Sequence, residues 1–262
     1  MAKHLISFDL RANFACFKKP DVNEGLILTF NCLHKPALLG ILGAIVGLKG
    51  YSKKGEFPEY YRLFKDLPVG IEPLEGFHEK GNFNKTIIKY TNTVGYANAD
   101  GNLLVTEQTL IRPGYRCYVL LDVNVKEQSA LYQYLQKGES MYLPYLGKNE
   151  FSAWWESSSV VDYEFEQVEN LSDNYTIASI FKKSAKLRDN QVDEGNEDFN
   201  FLDLTLKPDI FLYFERLPIT FDEILVQYKL ADFTYSNVTW KSSSKMDSLY
   251  FLKGEEKYVQ LF

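Results

Sequence analysis

The hydrophobic pattern of the first part of the chain predicts strands and helices in alternation. Residues 6–10 alternate apolar with polar side chains, which is the period of a half-buried strand. Pro36 suits the first turn of a helix, and residues 37–48 continue as a mainly apolar helix. A short helix over 59–65 and an extended run over 69–74 follow. The pattern therefore indicates a mixed α and β domain.

A long β-hairpin is predicted in the middle of the chain. Residues 86–96 and 102–111 are rich in β-branched and aromatic side chains, which favour strands. They flank residues 98–101, which end in an Asp-Gly pair, a strong signal for a tight hairpin turn. This hairpin, at about 84–112, is called the thumb below.

Three further elements complete the first part of the chain. Residues 115–123 predict a strand that is mostly buried on both faces. Residues 126–137 predict an amphipathic helix that stops at Gly138. A strand is then expected to start at Phe151 and to run through Trp155.

The order of these elements predicts the fold class. Strand, helix, strand, thumb, strand, helix and strand over residues 1–160 match a ferredoxin-like (RRM-like) βαββαβ domain with an extended thumb hairpin. Residues 161–262 predict a β-rich C-terminal subdomain, so the whole chain is α+β. Within it, the acidic and apolar-poor residues 190–200 predict a mobile loop. The strands expected in the subdomain cover residues 201–206, 210–215, 225–238 and 257–262.

Composition indicates a soluble, cytoplasmic protein. The chain has 262 residues, 45% of them hydrophobic and 24% charged, which is close to the average for globular proteins. The longest apolar stretch, residues 36–48, is too short to span a bilayer, which takes roughly 20 apolar residues. Three scattered cysteines suit a reducing compartment and provide neither a disulfide framework nor a metal clip. We therefore expect no membrane association.

The distribution of charge confines any anion-binding surface to the first part of the chain. The formal net charge is −6, which argues against a general nucleic-acid binder. Residues 1–150 hold 18 Lys and Arg against 15 Asp and Glu, whereas residues 151–262 hold 11 against 20. Motifs for nucleotide cofactors, for zinc and for an esterase nucleophile are missing from the sequence, so we expect no cofactor.

A cluster of basic residues lies between the first strand and the first helix. It consists of Arg11, Lys18, Lys19, His34 and Lys35. Such a cluster can bind RNA phosphates, although any one of these side chains can equally be a solvated loop charge. His34 beside Lys35 can form an acid/base pair for RNA cleavage, but a lone histidine more often lies at the surface or caps a helix.

Two glycine-containing segments suggest close approach of the backbone to a neighbour. Gly40, Gly43 and Gly47 lie on one face of the first helix, which indicates either close packing onto the sheet or access for an RNA phosphate at its N-terminal turn. Gly147-Lys148 lies between the second helix and the final strand, where its backbone amides can contact an anion. The many aromatic residues can stack on bases, but within strands they are more typical of a core.

Four segments together resemble one protein family. They are residues 6–17 (ISFDLRANFACF), 34–51 (HKPALLGILGAIVGLKGY), 142–153 (YLPYLGKNEFSA) and 258–262 (YVQLF). These segments are similar to the Cas-five family of CRISPR-associated proteins in the RAMP superfamily, and most closely to its type I-B branch. The similarity covers nearly the whole chain and is most specific in the helix motif.

The resemblance implies a non-catalytic subunit of Cascade, the type I surveillance complex of antiviral defence. Such a subunit binds the 5′ handle of the CRISPR RNA (crRNA) and caps the backbone filament. It contacts the backbone subunit and the large subunit, and it meets target DNA in the assembled complex. The thumb would hold or displace a nucleotide. The side chains expected near the handle are Arg11, Lys18, Lys19, His34, Lys35, Asn92, Arg112 and Lys148.

Two alternatives remain open from the sequence. In the type I-C branch, the family member is a metal-independent endoribonuclease in which a tyrosine works with an adjacent Lys-His pair. This chain departs from that pattern, because its one such pair is His34-Lys35 before the first helix, and His78 stands alone near the thumb base. The other alternative is an RNA-binding module unrelated to CRISPR, which predicts a free sheet face.

Overall fold

The computed structural model describes six stretches of the chain, namely residues 3–20, 25–91, 104–169, 174–182, 209–240 and 246–262. Several expectations fall outside these stretches: the site residue Asn92, the thumb tip at 98–101, the acidic loop at 190–200 and the strand at 201–206.

The described residues form seventeen strands, many of them short, and three α-helices. The helices are α1 (Lys35–Val46), α2 (Glu59–Phe64) and α3 (Lys126–Lys137). The strands are β1 (Lys3–Ala12), β2 (Phe14–Ala15), β3 (Phe17–Lys18), β4 (Leu26–Ile27), β5 (Thr29–Phe30), β6 (Val69–Pro73), β7 (Lys85–Thr91), β8 (Leu104–Ile111), β9 (Gly114–Asp122), β10 (Ala153–Trp154), β11 (Val161–Tyr163), β12 (Phe165–Val168), β13 (Phe181–Lys182), β14 (Leu212–Asp222), β15 (Gln227–Ser236), β16 (Leu249–Leu252) and β17 (Lys257–Gln260).

The central sheet has the strand order expected of the βαββαβ arrangement. β1 lies between β9 on one side and β10 and β11 on the other, and β6 forms the far edge beside β9. All these neighbours are antiparallel. Because α1 connects β1 to β6 and α3 connects β9 to β10, the α+β fold class is confirmed.

The main core lies between the helices and one face of this sheet. Ile6, Phe8 and Leu10 of β1 point into it together with Leu131 and Leu135 of α3. These residues are fully buried, as the alternating pattern of β1 and the apolar stripe of α3 predict.

Both long helices have well-formed ends. α1 begins after His34, whose ring nitrogen accepts a hydrogen bond from the backbone N–H of Ala37, and it ends at Gly47 in the left-handed conformation. α3 ends at Gly138 in the same conformation, as the sequence predicts. No helix among the described residues is both long and apolar enough to cross a membrane.

The opposite face of the sheet is partly covered by the C-terminal hairpin β16–β17. Leu5, Tyr118 and Leu120 of the sheet pack with Leu252 and Val259 in a second buried cluster. The free sheet face predicted for an RNA-binding module unrelated to CRISPR is therefore not present over this part of the sheet.

The core continues across the predicted domain boundary at residue 160. β10 and β11 lie on either side of that boundary, and both pair with β1. Ile180, Leu217 and Phe233 of the C-terminal part belong to the main core cluster. The two parts of the chain thus share buried surface.

The base of the thumb forms the predicted antiparallel hairpin. β7 pairs with β8 from Lys85 opposite Leu110 to Thr91 opposite Leu104. β8 also pairs with β2 and β4, so the thumb base is held in a four-stranded sheet.

Two strand predictions differ from the structure. The strand expected from Phe151 through Trp155 is reduced to β10, Ala153–Trp154. A 3-10 turn at Ser157–Ser159 follows it, and the separate strand β11 begins only at Val161. The Ser159 hydroxyl accepts the backbone N–H of Asp9, so a side chain replaces a backbone partner of β1 there. β14 extends to Asp222 rather than ending at 215, and its pairing with β15 shifts register after Pro218, which has no N–H to donate.

The glycine face of α1 packs on a helix rather than on the sheet. A Cβ at Gly43 would lie 2.3 Å from the Cβ of Tyr60 in α2, so only glycine permits this approach. A Cβ at Gly40 would lie 3.6 Å from the Tyr60 ring, which is an ordinary contact. The expected close packing is correct, but its partner is α2.

Candidate nucleic-acid interface

A cleft opens between the thumb base and the loop that precedes β10. Its volume is about 330 Å³, and we call it the lysine cleft. Its lining residues come from β3, β4, the start of α1, both thumb strands and the loop at Gly147. They are Cys16, Phe17, Lys18, Ile27, His34, Ala37, Tyr90, Glu107, Gly147, Lys148 and Tyr228.

The loop at Gly147 reaches the cleft only because this residue is glycine. Gly147 has φ +86°, and a Cβ there would lie 1.9 Å from the carbonyl oxygen of Cys16. The backbone N–H of Cys16 donates to the carbonyl of Leu146. Close backbone contact therefore places Lys148 directly at the cleft.

Lys148 is held by carboxylates of the thumb base and of its own loop. Its ammonium lies 2.9 and 3.0 Å from the two carboxylate oxygens of Glu107, and 3.0 Å from Glu150. Burial alone would lower its pKa, but hydrogen bonds to Glu107, Glu150 and Tyr90 outweigh burial and raise the pKa. Lys148 stays charged, yet two carboxylates already neutralise it.

Lys18 is the cation of the cleft that is available to an external anion. It is exposed on β3 opposite Thr29. Within the described part of the chain, its ammonium makes no hydrogen bond or ion pair. A phosphate at Lys18 would therefore not have to displace a carboxylate.

Lys19 forms an ion pair within the fold instead. Its ammonium lies 3.4 Å from Glu215 on β14 and 5.2 Å from the centre of the Phe30 ring. The same carboxylate accepts backbone N–H groups of Asn31 and Cys32. Lys19 thus helps neutralise a mostly buried acid.

His34 is a buried helix cap. Its Nδ1 accepts the Ala37 N–H at 3.3 Å, and the rings of Phe17, Phe30 and Tyr228 surround it. Burial lowers the pKa of His34 to about 3, so the ring is neutral at physiological pH. His34 therefore has the capping role, and its lack of charge argues against the expected cationic contact with RNA.

Lys35 is also turned away from the cleft. It is buried, and its ammonium donates to a main-chain oxygen of Phe262 at 2.9 Å. Burial lowers its pKa to about 8. Lys35 is therefore not placed for the expected contact with RNA. Its side chain instead joins α1 to the last residues of the chain.

The two arginines among the predicted RNA contacts, Arg11 and Arg112, lie apart from the lysine cleft. Arg11 is on β1, 3.6 Å from Asp9, with its guanidinium over the Phe77 ring. Asp9 in turn accepts two hydrogen bonds from Arg116. Arg112 is exposed at the turn between the thumb and β9, with φ +45°, and its backbone N–H donates to Asn13.

His78 and His4 are also engaged. The Nδ1 of His78 accepts the backbone N–H of Gly81, and its Nε2 lies 3.2 Å from the carbonyl of Pro73. Burial lowers the pKa of His78. His4 is near the start of the central strand β1, 2.8 Å from Asp162. In the described residues, no group of three or more His, Cys, Asp or Glu side chains is arranged to hold a metal.

A second cleft adjoins the first along α1. Its volume is about 470 Å³, and we call it the tyrosine cleft. Ala37, Gly147 and Tyr228 line both clefts. Its lining residues are Pro36, Ala37, Gly40, Ile41, Ala44, Leu48, Gly50, Tyr51, Tyr60, Tyr142, Leu143, Tyr145, Gly147, Phe221 and Tyr228.

Sequence reasoning missed the residues that shape these clefts. They include Tyr51, Tyr90, Glu107, Tyr142 and Tyr145. The segment YLPYLGK at 142–148 carried the signal, because two tyrosines directly precede the glycine loop. Only the aromatic residues within strands were expected in the core; Tyr51, Tyr142 and Tyr145 lie outside the strands and are exposed.

Comparison with known proteins shows the fold. No protein-family model matches the chain, and no curated protein matches it in sequence. A chain of the type III-B Cmr-β complex, bound to cognate target RNA and AMPPnP, is similar in structure with a TM-score of 0.50 and 10% identity over 99% of each chain. The chain therefore shares this fold from end to end.

Two further structures are similar at lower scores. A chain of a CRISPR RNA-guided surveillance complex has a TM-score of 0.47 and 12% identity, covering 91% of this chain and 92% of that one. A CRISPR protein from Archaeoglobus fulgidus has a TM-score of 0.45 and 10% identity, covering 97% of each chain.

Proposed function

We propose that this chain is a non-catalytic, RNA-binding subunit of a CRISPR surveillance complex. In the finer form of the proposal, it is the type I-B Cascade subunit that binds the 5′ handle of the crRNA and caps the backbone filament. The observation that carries the proposal is the end-to-end fold similarity to a chain of an RNA-bound CRISPR complex. The sequence motifs around α1 and Gly147 support it independently.

The lysine cleft supports an RNA-binding role for the region between the thumb base and the loop that precedes β10. Lys18 offers one unpaired positive charge, whereas the charge of Lys148 is already balanced by Glu107 and Glu150. Because phosphate contacts supply most of the salt-dependent affinity for nucleic acids, so few free charges predict weak binding to RNA outside a complex. A subunit that holds one short handle among neighbours needs no more.

The geometry of the histidines supports a binding role rather than cleavage. Metal-independent RNA cleavage needs a base for the ribose 2′-OH and an acid for the leaving oxygen. His34 is buried and caps α1, and both ring nitrogens of His78 lie against backbone groups. Burial lowers the pKa of His34 to about 3, which makes its ring a weak base, and His78 does not line the lysine cleft; both facts disfavour the rival endoribonuclease function.

The proposed partners follow from the same role. They are the crRNA, the backbone subunit, the large subunit and, in the assembled complex, target DNA. The acidic part of the chain after residue 150 suits contacts with protein rather than with nucleic acid.

Co-expression with the cognate backbone subunit and crRNA tests this proposal. The K18E variant is expected to recover several-fold less guide RNA with the complex than the wild type. K126E, which reverses an exposed charge at the start of α3, is the matched control and should recover guide normally. Wild-type complexes without guide RNA would contradict the binding role.

A second assay separates binding from cleavage. The purified chain is incubated with end-labelled cognate repeat RNA in chelator and followed on a denaturing gel. Intact RNA is expected. A defined cut within the repeat would establish the endoribonuclease instead.

A further inference from the structure

We propose that the tyrosine cleft holds one unpaired base of the RNA, whose phosphate lies at Lys18 in the adjoining lysine cleft. This inference rests on the proposed function and adds a specific location for a base. The ligand class is a single-stranded nucleotide rather than a duplex.

The cleft has the size and the walls of a small-ligand site. Its volume of about 470 Å³ lies within the usual range of roughly 300–1,000 Å³ for such sites. Its floor is the outer face of α1, where Ala37, Gly40 and Ala44 carry little or no side chain. The small floor residues leave depth between the aromatic walls.

Five tyrosines line the surface that a base would contact. Tyr51, Tyr142 and Tyr145 are 58%, 55% and 43% exposed, so their rings are not consumed by the core. Tyr60 and Tyr228 form deeper walls and are partly buried. Stacking between a base and an aromatic ring is tolerant of sequence, and tyrosine hydroxyls can bond base edges without charge.

The two clefts match the two halves of a nucleotide. The tyrosine cleft suits the base, and the lysine cleft suits the phosphate. Ala37, Gly147 and Tyr228 line both, so the two clefts lie side by side on the protein surface. The aromatic part has no Lys, Arg, Asp or Glu in its lining. The unpaired charge of Lys18 lies on the lysine side. This charge arrangement favours a nucleotide over an apolar protein segment, which would need no cation at one end.

Gly40 is the position where a substitution can fill the cleft with the least effect on the fold. Unlike Gly43, it is not required for packing, because an added Cβ would make only ordinary contacts of 3.6–3.8 Å with the Tyr60 ring. Its φ is not in the left-handed region, and replacing a helical glycine improves helix propensity. A large side chain at this position would therefore occupy the cleft without a cost to the backbone.

The test compares G40L with Q133L in the full chain; Gln133 is exposed on α3 and lines neither cleft. The probe is a fluorescein-labelled, eight-nucleotide single-stranded RNA with a central 5-iodouridine, at 50 mM salt. G40L is expected to weaken binding about tenfold, the equivalent of losing one stacked base. Q133L should bind within about twofold of wild type. Both variants should melt at or above the wild-type temperature, and photocrosslinks in the wild type should map to Tyr51, Tyr142 or Tyr145.

Each other outcome overturns the inference in a distinguishable way. Normal RNA affinity in G40L, with affinity lost in K18E, would remove the base site and leave the proposed function intact. Normal RNA affinity in G40L with loss of the backbone subunit on co-purification would make the cleft a protein-docking surface. No RNA binding by the wild type, alone or in the complex, would overturn both the base site and the proposed function.

Discussion

The ammonium of Lys148 lies 2.9 and 3.0 Å from the two carboxylate oxygens of Glu107, and this pair connects the Gly147 loop to the thumb base. Glu107 is 2% exposed, so its charge has almost no access to water. A buried carboxylate without a partner is strongly destabilising. The pair therefore fixes the position of the thumb base relative to the Gly147 loop.

Removing the Lys148 charge should destabilise the fold through Glu107. K148M leaves the buried carboxylate unpaired, so we expect a loss of about 2 kcal/mol in the free energy of unfolding, which is less than for a fully buried pair because Lys148 is partly exposed. The double variant E107Q/K148M removes both charges and should recover most of that loss. Urea unfolding measures all three chains. Equal destabilisation of the single and the double variant would assign the effect to packing instead of charge.

Gly147 should tolerate no side chain. In G147A the new Cβ would meet the Cys16 carbonyl in addition to the strain of a positive φ, so we expect a loss of more than about 4 kcal/mol or an insoluble protein. G76A is the matched control, because Gly76 has φ +81° with nothing within 4 Å. It should lose only about 1 kcal/mol from strain. Similar losses in both variants, measured by thermal melting, would contradict the close contact at Gly147.

His34 should make stability depend on pH. Burial lowers its pKa to about 3 in the folded chain, against about 6.5 when unfolded. Between these values the unfolded chain binds more protons, so stability is full above about pH 6.5 and falls as the pH drops. At pH 5 the loss is about 2 kcal/mol. H34N retains a capping side chain without the titration, so its stability should fall less between pH 7 and pH 5, as followed by urea unfolding. An identical fall in both chains would place the titration elsewhere.

Lys18 should account for part of the salt dependence of RNA binding. One phosphate contact contributes a slope of about −0.7 to a plot of log affinity against log salt for single strands. K18A should therefore reduce the magnitude of the slope by about this amount, measured with the eight-nucleotide RNA from 50 to 200 mM salt. K19A should change the slope less, because Lys19 is paired with Glu215. Equal effects of the two variants would argue against Lys18 as the principal phosphate contact.

Much of the fold could be predicted from local pattern. The alternation at 6–10 and the stop at Gly138 depend on neighbours in sequence, and these elements appear where expected. The described strands of the thumb base, β7 and β8, also pair as expected. The break between β10 and β11 could not be predicted, because it depends on Ser159 bonding Asp9, 150 residues away in the chain. The coverage of the sheet by β16–β17 is likewise a long-range packing choice.

The site was less predictable than the fold. Sequence indicated the regions, and both Lys18 and Lys148 line the cleft. It could not show which cations have partners. Glu215, which neutralises Lys19, and Glu107, which neutralises Lys148, are brought together with them only by tertiary structure. His34 and Lys35 are basic in sequence but buried in the fold, and burial reverses what their residue types suggest.

The contact between Gly43 and Tyr60 has a thermodynamic consequence for the tyrosine cleft. Because the backbone of α1 presses directly against Tyr60, this wall has lost its conformational freedom when the chain folds. When a ligand stacks on Tyr60, the side chain therefore loses little further conformational entropy. Exposed rings such as Tyr51 and Tyr142 still lose entropy on binding, so the deep wall and the rim should contribute to affinity with different temperature dependences.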